Sequence, residues 1–172
     1  MGSRARAPRG KRGRGHRVTE FQDPHTILEL ILNARTVALV GLSRNELRAS
    51  HFVGYYLQRH GYRVIPVNPN EEQVLDQRAY PTLADVPERI DVVDVFRDPA
   101  AVPELAQEAV DACAGAFWLQ FGVISPEGAR IASDGGLDVV MDRCMKIEHA
   151  RYLGRMHWMG FNSGAITGRR VL

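Results

Sequence analysis

The chain has 172 residues, 45% hydrophobic and 24% charged, the balance of one globular domain with room for a core. No apolar run approaches the roughly 20 residues that a bilayer crossing needs, and no apolar segment follows the basic N-terminus to make a signal peptide, so the expected location is the cytoplasm. The net charge of +2 conceals an asymmetry: Arg4, Arg6, Arg9, Lys11, Arg12, Arg14 and Arg17 lie within residues 1–17 with no acidic residue among them, and the rest of the chain is net acidic.

Residues 1–20 alternate arginine with Gly, Ala and Pro and read as a disordered basic tail. Such an arm can contact nucleic-acid phosphates. No aromatic residue interleaves the arginines and no nucleic-acid-binding motif follows, so a solvated extension is the plainer reading. Cys113 and Cys144 form no CxxC pair, and neither a structural disulfide nor a Cys-ligated zinc site is expected.

Residues 21–157 hold alternating strand and helix signals. Asp23-Pro24 is an N-cap followed by proline at the first helical position, and Ile27, Leu28, Ile31 and Leu32 share one face of the helix it opens. Thr36-Val37-Ala38-Leu39-Val40 is apolar without period-2 alternation, the pattern of a strand covered on both faces. It ends at Gly41. After a polar loop, Ser50 is the expected cap of a helix to about His60, with Val53, Tyr56 and Leu57 inward and Gly61 as C-cap. Tyr62 to Val67 is a second strand, which Pro66 assigns to an edge or a terminus, and residues 71–85 are loop and short irregular pieces. Ile90 to Phe96 is a third strand, and Asp98-Pro99 opens a helix to about Ala112. Ala116 to Gln120 is a fourth strand, Ser125-Pro126 starts a helix ending near Gly135-Gly136, and Leu137 to Met141 is a fifth strand. A helix over residues 146–155 and a C-terminal extension over 158–172 complete the chain. The expected fold class is α/β: a Rossmann-like doubly wound parallel sheet of about five strands with helices on both faces.

Open sheets of this kind bind ligands at the carboxyl ends of their strands. The residues there are Gly41 and Ser43, Asn68, Pro69 and Asn70, Phe96 and Arg97, Gln120 and Gly122, then Asp142, Arg143 and Cys144. Gly41, Ser43 and the free N–H groups of the next helix can cradle a diphosphate, with Arg48 or Arg97 adding positive charge. Phe96 can pack on a base or an apolar arm, and Gln120 can hydrogen-bond an amide. NAD fits less well: Gly41-Leu42-Ser43-Arg44-Asn45-Glu46 lacks two glycines of GxGxxG, and Val67-Asn68 lacks the acidic residue that binds ribose hydroxyls. A flavin nucleotide remains open on these grounds.

Val40-Gly41-Leu42-Ser43, Val64-Ile65-Pro66-Val67-Asn68-Pro69, Asp94-Val95-Phe96-Arg97, Trp118-Leu119-Gln120-Phe121-Gly122 and the run from Met141 to His149, taken in order, resemble the small single-domain CoA-binding proteins often called YccU-like. These are similar to the CoA-binding domain of the succinyl-CoA synthetase α subunit. The resemblance spans about Asp23 to Arg155 and implies a Rossmann-like domain that binds coenzyme A. It implies further that Gly41 and Ser43 meet the pyrophosphate, that Asn68-Pro69 borders the adenosine end, that Phe96-Arg97 flanks the nucleotide and that Gln120 and Gly122 face the opposite wall. Many relatives carry Lys where this chain has Asn70, so the 3′-phosphate contact is either weaker or supplied by Arg44, Arg48 or another base.

The synthetase chemistry also requires a domain with a phosphorylated histidine and a nucleotide-grasp partner, for which this chain has no room. A binding or sensing module for CoA or an acyl-CoA, without catalytic residues, is therefore the expected function. A Rossmann enzyme using a nicotinamide or flavin nucleotide, and a nucleic-acid-associated protein acting through its tail, are the alternatives. Cys144, with Arg143, Lys146 and His149 close in sequence, is a candidate low-pKa thiol able to form a mixed disulfide with the pantetheine thiol, against the plainer reading of a small buried residue. His51 and His149 read as structural. No protein partner is indicated.

Overall fold

The computed structural model describes residues 20–153; the basic tail and the C-terminal extension lie outside these. Five parallel strands form one sheet: β1 (Thr36–Val40), β2 (Arg63–Val67), β5 (Val92–Val95), β6 (Ala116–Leu119) and β7 (Asp138–Val140), in the order β2-β1-β5-β6-β7. Two two-residue strands, β3 (Gln73–Val74) and β4 (Gln77–Arg78), form an antiparallel hairpin within the segment expected to be irregular. The helices are α1 (Pro24–Asn33), α2 (Ala49–Arg59), α3 (Val102–Asp111), α4 (Pro126–Asp134) and α5 (Met145–Leu153).

Alternate residues of each strand enter different apolar layers. Val37, Leu39, Val92, Trp118 and Val140 pack with α1, α2 and α5. Ala38, Val40, Val93, Phe117 and Leu119 pack with α3 and α4. Burying a Val, Leu or Phe side chain contributes roughly 1.5–3 kcal/mol relative to leaving it in water, so strands apolar on both faces are stable only between two helical layers. This is the Rossmann-like arrangement. It explains why β1 shows no alternation.

The strand order reverses at β1. The chain steps from β1 outward to β2, then crosses back to pair β5 with the other side of β1. The carboxyl ends of β1 and β5 therefore diverge into connections on opposite sides, and a crevice opens between them.

Both margins of the sheet are covered. At β2, Pro66 contributes no N–H, and its carbonyl accepts from Tyr80 N (2.9 Å) while Asn68 N donates to Tyr80 O (2.9 Å). Beyond β7, Met141 N donates to Phe21 O (2.9 Å) and its carbonyl accepts from Gln22 Nε2 (3.0 Å). No helix among the described residues is long and apolar enough to cross a membrane.

Two local expectations are corrected. Ser50 lies inside α2; the residue before the helix is Arg48, which makes no side-chain capping bond. The Ser50 hydroxyl instead accepts from Ser43 N (3.3 Å), where it braces the β1–α2 loop. Leu32 is exposed, because the covered stripe of α1 is narrower than its apolar one and centres on Ile27 and Ile31.

Candidate ligand site at the carboxyl rim of the sheet

Gly41 occupies the tip of β1 with φ +87°, a backbone region disfavoured for L side chains. Its N–H donates to Val67 O (2.8 Å), and a Cβ here would lie 2.6 Å from Phe96 O. Only glycine lets the ends of β1, β2 and β5 approach so closely.

The loop after Gly41 is held by its own polar side chains. Ser43 Oγ accepts from Asn45 N (3.1 Å), and Asn45 Oδ1 accepts from Leu47 N (3.0 Å). His51 Nδ1 lies 2.9 Å from Ser43 O, so that nitrogen carries its proton. Asn68 Nδ2 donates to Leu42 O (3.0 Å) and ties the β2 turn to the β1 turn; its Oδ1 accepts from Asn70 N (3.1 Å).

These bonds fix the entrance to α2 without closing it. α1 and α4 have side-chain caps: Asp23 accepts from Thr26 N, and Ser125 accepts from Gly128 N. α2 has none, and no acidic residue lies in its first turn. An unpaired first turn carries about half a positive charge and favours an anion. The start of α2 borders a groove of about 350 Å³ lined by Gly41, Ser43, Arg48, Ala49, Ser50 and Phe96.

Asn68, Pro69, Arg97, Gln120 and Gly122 do not line this groove. Pro69 and Arg97 line a second hollow of about 200 Å³ on the α3 side, with Val40, Val67, Glu104 and Glu108. Arg44 is drawn away by Glu71, whose carboxylate accepts from Arg44 N (3.1 Å) and lies 3.6 Å from its guanidinium Nε. Arg48 is exposed at the groove. Phe96 is half-buried, one side on the apolar layer beneath α1, α2 and α5 and the other lining the groove. Gly122 is held by its N–H donating to Asp142 Oδ1 (2.8 Å). A third hollow of about 280 Å³ at the β7 end is lined by Gln22, Phe121, Arg143, Cys144 and Glu148.

Gln120 is not an open wall residue. It is 3% exposed, and its Nε2 donates to both carboxylate oxygens of Asp94 at 2.8 Å. Asp94 is fully buried in β5, and burial pushes its carboxyl up to about 7 against the Gln120 bond. This buried acid was missed in the sequence; its signal is one charged residue within Val92-Val93-Asp94-Val95, a strand covered on both faces.

For Cys144 the plainer reading stands and the low-pKa alternative fails. Burial dominates its surroundings and holds the thiol above its ordinary pKa, with the Asp94 charge adding to the rise and Lys146 opposing it less strongly. The motif's charged residues pair among themselves: Glu148, 1% exposed, lies 3.7 Å from Arg143 and 3.0 Å from Arg151. His149 Nδ1 lies 3.0 Å from the Tyr56 hydroxyl, and burial and the neighbouring His60 lower its pKa.

Comparisons with known proteins agree with this architecture. The family model described as "CoA binding domain" matches residues 35–150. The Bacillus subtilis protein YneT is 36% identical over 124 residues, covering 72% of this chain and 92% of its own length. A solved structure from Pyrococcus horikoshii superimposes with a TM-score of 0.75 at 38% identity, covering 77% of this chain and 93% of that one. An ADP-forming acetate–CoA ligase of Archaeoglobus fulgidus is 30% identical over 76 residues, 43% of this chain but 11% of the ligase. The chain belongs to the CoA-binding domain family.

Proposed function

We propose that this protein binds coenzyme A or an acyl-CoA along the rim and performs no chemistry on it. The observation that carries the reading is the uncapped start of α2, which borders a groove at the strand-order reversal where Gly41 lets the tips of β1 and β5 close together. The diphosphate lies against the first turn of α2, with Gly41, Ser43 and Arg48 around it. The adenosine end lies toward Asn68, Pro69 and Arg97, Phe96 flanks the nucleotide, and the pantetheine arm runs toward Gln120 and Gly122. Arg48 takes the place of the lysine absent at Asn70, since Arg44 is engaged by Glu71. The acetate–CoA ligase match, confined to 11% of that enzyme, supports a shared binding part.

Titration calorimetry of the full chain tests the reading. CoA binds, whereas NAD, NADP and FMN do not, and dephospho-CoA binds more weakly than CoA by a margin that Arg48→Ala removes. Absence of CoA binding at millimolar concentration, or preference for a nicotinamide or flavin nucleotide, overturns it.

A further inference from the structure

A glutamine amide is ambiguous as a recognition group: one end donates and the other accepts, and turning the group over exchanges them. Which end meets a ligand depends on what holds the other. At the carboxyl end of β6, the group that holds it is Asp94 of the neighbouring strand. Its oxygens lie 2.8 Å from Gln120 Nε2. Once ionised, above about pH 7, the carboxylate has no proton to offer, and the NH2 end must face it. Gln120 Oε1 has no hydrogen-bond partner among the described residues, and it is not among the buried polar atoms sealed from solvent. The acceptor end is thus the part of this side chain left without a partner among the described residues.

We propose that Asp94 is a positioning residue: by taking the N–H groups of Gln120, it fixes a carbonyl oxygen toward the site and makes that point of the rim selective for a ligand N–H, such as a secondary amide of a pantetheine arm. This deepens the CoA reading and rests on it. Burying a charged carboxylate is costly, and β5 would be more stable with an apolar residue at this place. Its retention inside the sheet is explained by the work of orienting Gln120. Asparagine at position 94 offers both a donor and an acceptor and lets the Gln120 amide take either orientation.

The test uses the full chain at about pH 8.5, where Asp94 is ionised, and two ligands: CoA, and adenosine 3′,5′-bisphosphate, which lacks the pantetheine arm. Thermal unfolding first establishes that Asp94→Asn is folded. Asp94→Asn weakens CoA binding roughly three- to tenfold, the range expected for one neutral hydrogen bond, and leaves bisphosphate binding unchanged. The double variant Asp94→Asn/Gln120→Leu binds CoA no more weakly than Gln120→Leu alone, because Asp94 acts through Gln120. A general structural role would weaken both ligands together. The proposal is overturned if Asp94→Asn binds CoA like the wild type, if both ligands lose affinity equally, or if the two substitutions add. Failure of the wild type to bind CoA at all would instead overturn the underlying functional reading.

Discussion

The starts of α2 and α4 follow parallel strands of one sheet and are built to opposite ends. At α4, Ser125 caps Gly128 N, Pro126 fills the first position, and Glu127 adds a negative charge to the first turn. At α2 the preceding residue is an arginine, no side chain caps the turn, and no acidic residue lies within the first turn. A helix whose only task is packing satisfies its terminal donors from within. A helix that leaves them open loses roughly 1 kcal/mol of capping stabilisation and keeps an anion site in return.

The largest expected effect comes from Gly41. Gly41→Ala places a Cβ 2.6 Å from Phe96 O at φ +87°, and at least about 3 kcal/mol of stability should be lost, with CoA affinity falling as the β1 and β5 tips separate. Gly61 is the control: its φ is +88°, but nothing lies within 4 Å of an added Cβ, so Gly61→Ala should cost only about 1–2 kcal/mol and leave binding intact. Denaturant unfolding and calorimetry on the two variants separate crowding from backbone conformation.

Asp94→Asn should produce a pH-dependent gain in stability. The carboxyl holds its proton to about pH 7 in the folded chain, against an ordinary value of 3.8, so the folded state binds more protons between these limits. Wild-type stability therefore falls as pH rises from about 4 to about 7. Thermal unfolding should show the variant gaining on the wild type from pH 5 to pH 8, by up to about 3 kcal/mol. An advantage that is flat with pH would remove Asp94 as the titrating group.

The contrast between the two helices can be reversed by substitution. Ser125→Ala should cost about 1 kcal/mol and leave CoA affinity unchanged. Arg48→Ser should be more stable than Arg48→Ala by about 1 kcal/mol yet bind CoA more weakly, because the new hydroxyl occupies the donors the diphosphate needs. Equal binding by the two Arg48 variants would show that the open turn contributes nothing. The smallest effect is chemical: at pH 7 Cys144, its thiol held neutral by burial, should alkylate more slowly than exposed Cys113.

The elements were legible in the sequence because their signals are local. Asp23-Pro24 and Ser125-Pro126 open helices where expected, and an unalternating apolar run identifies β1. Ser50 misled because a serine one residue inside a helix looks like one just before it, and only its bond to Ser43 N distinguishes them. The low-pKa alternative for Cys144 fails because neighbours in sequence are not neighbours in charge: Arg143 is engaged by Glu148, and burial outweighs Lys146. The Asp94–Gln120 pair joins residues 26 positions apart, and no local pattern announces it.

The margins of the sheet carry a consequence for crowded solution. At one, the backbone groups next to Pro66 already belong to Tyr80; at the other, β7 is three residues long and Met141 beyond it is taken by Phe21 and Gln22. A neighbouring molecule meets almost no template for strand addition, the route by which exposed sheets polymerise into fibres. Among the described residues, an assembly of copies would rely chiefly on side chains, so its stoichiometry can be altered by surface substitutions that leave the backbone ladder untouched.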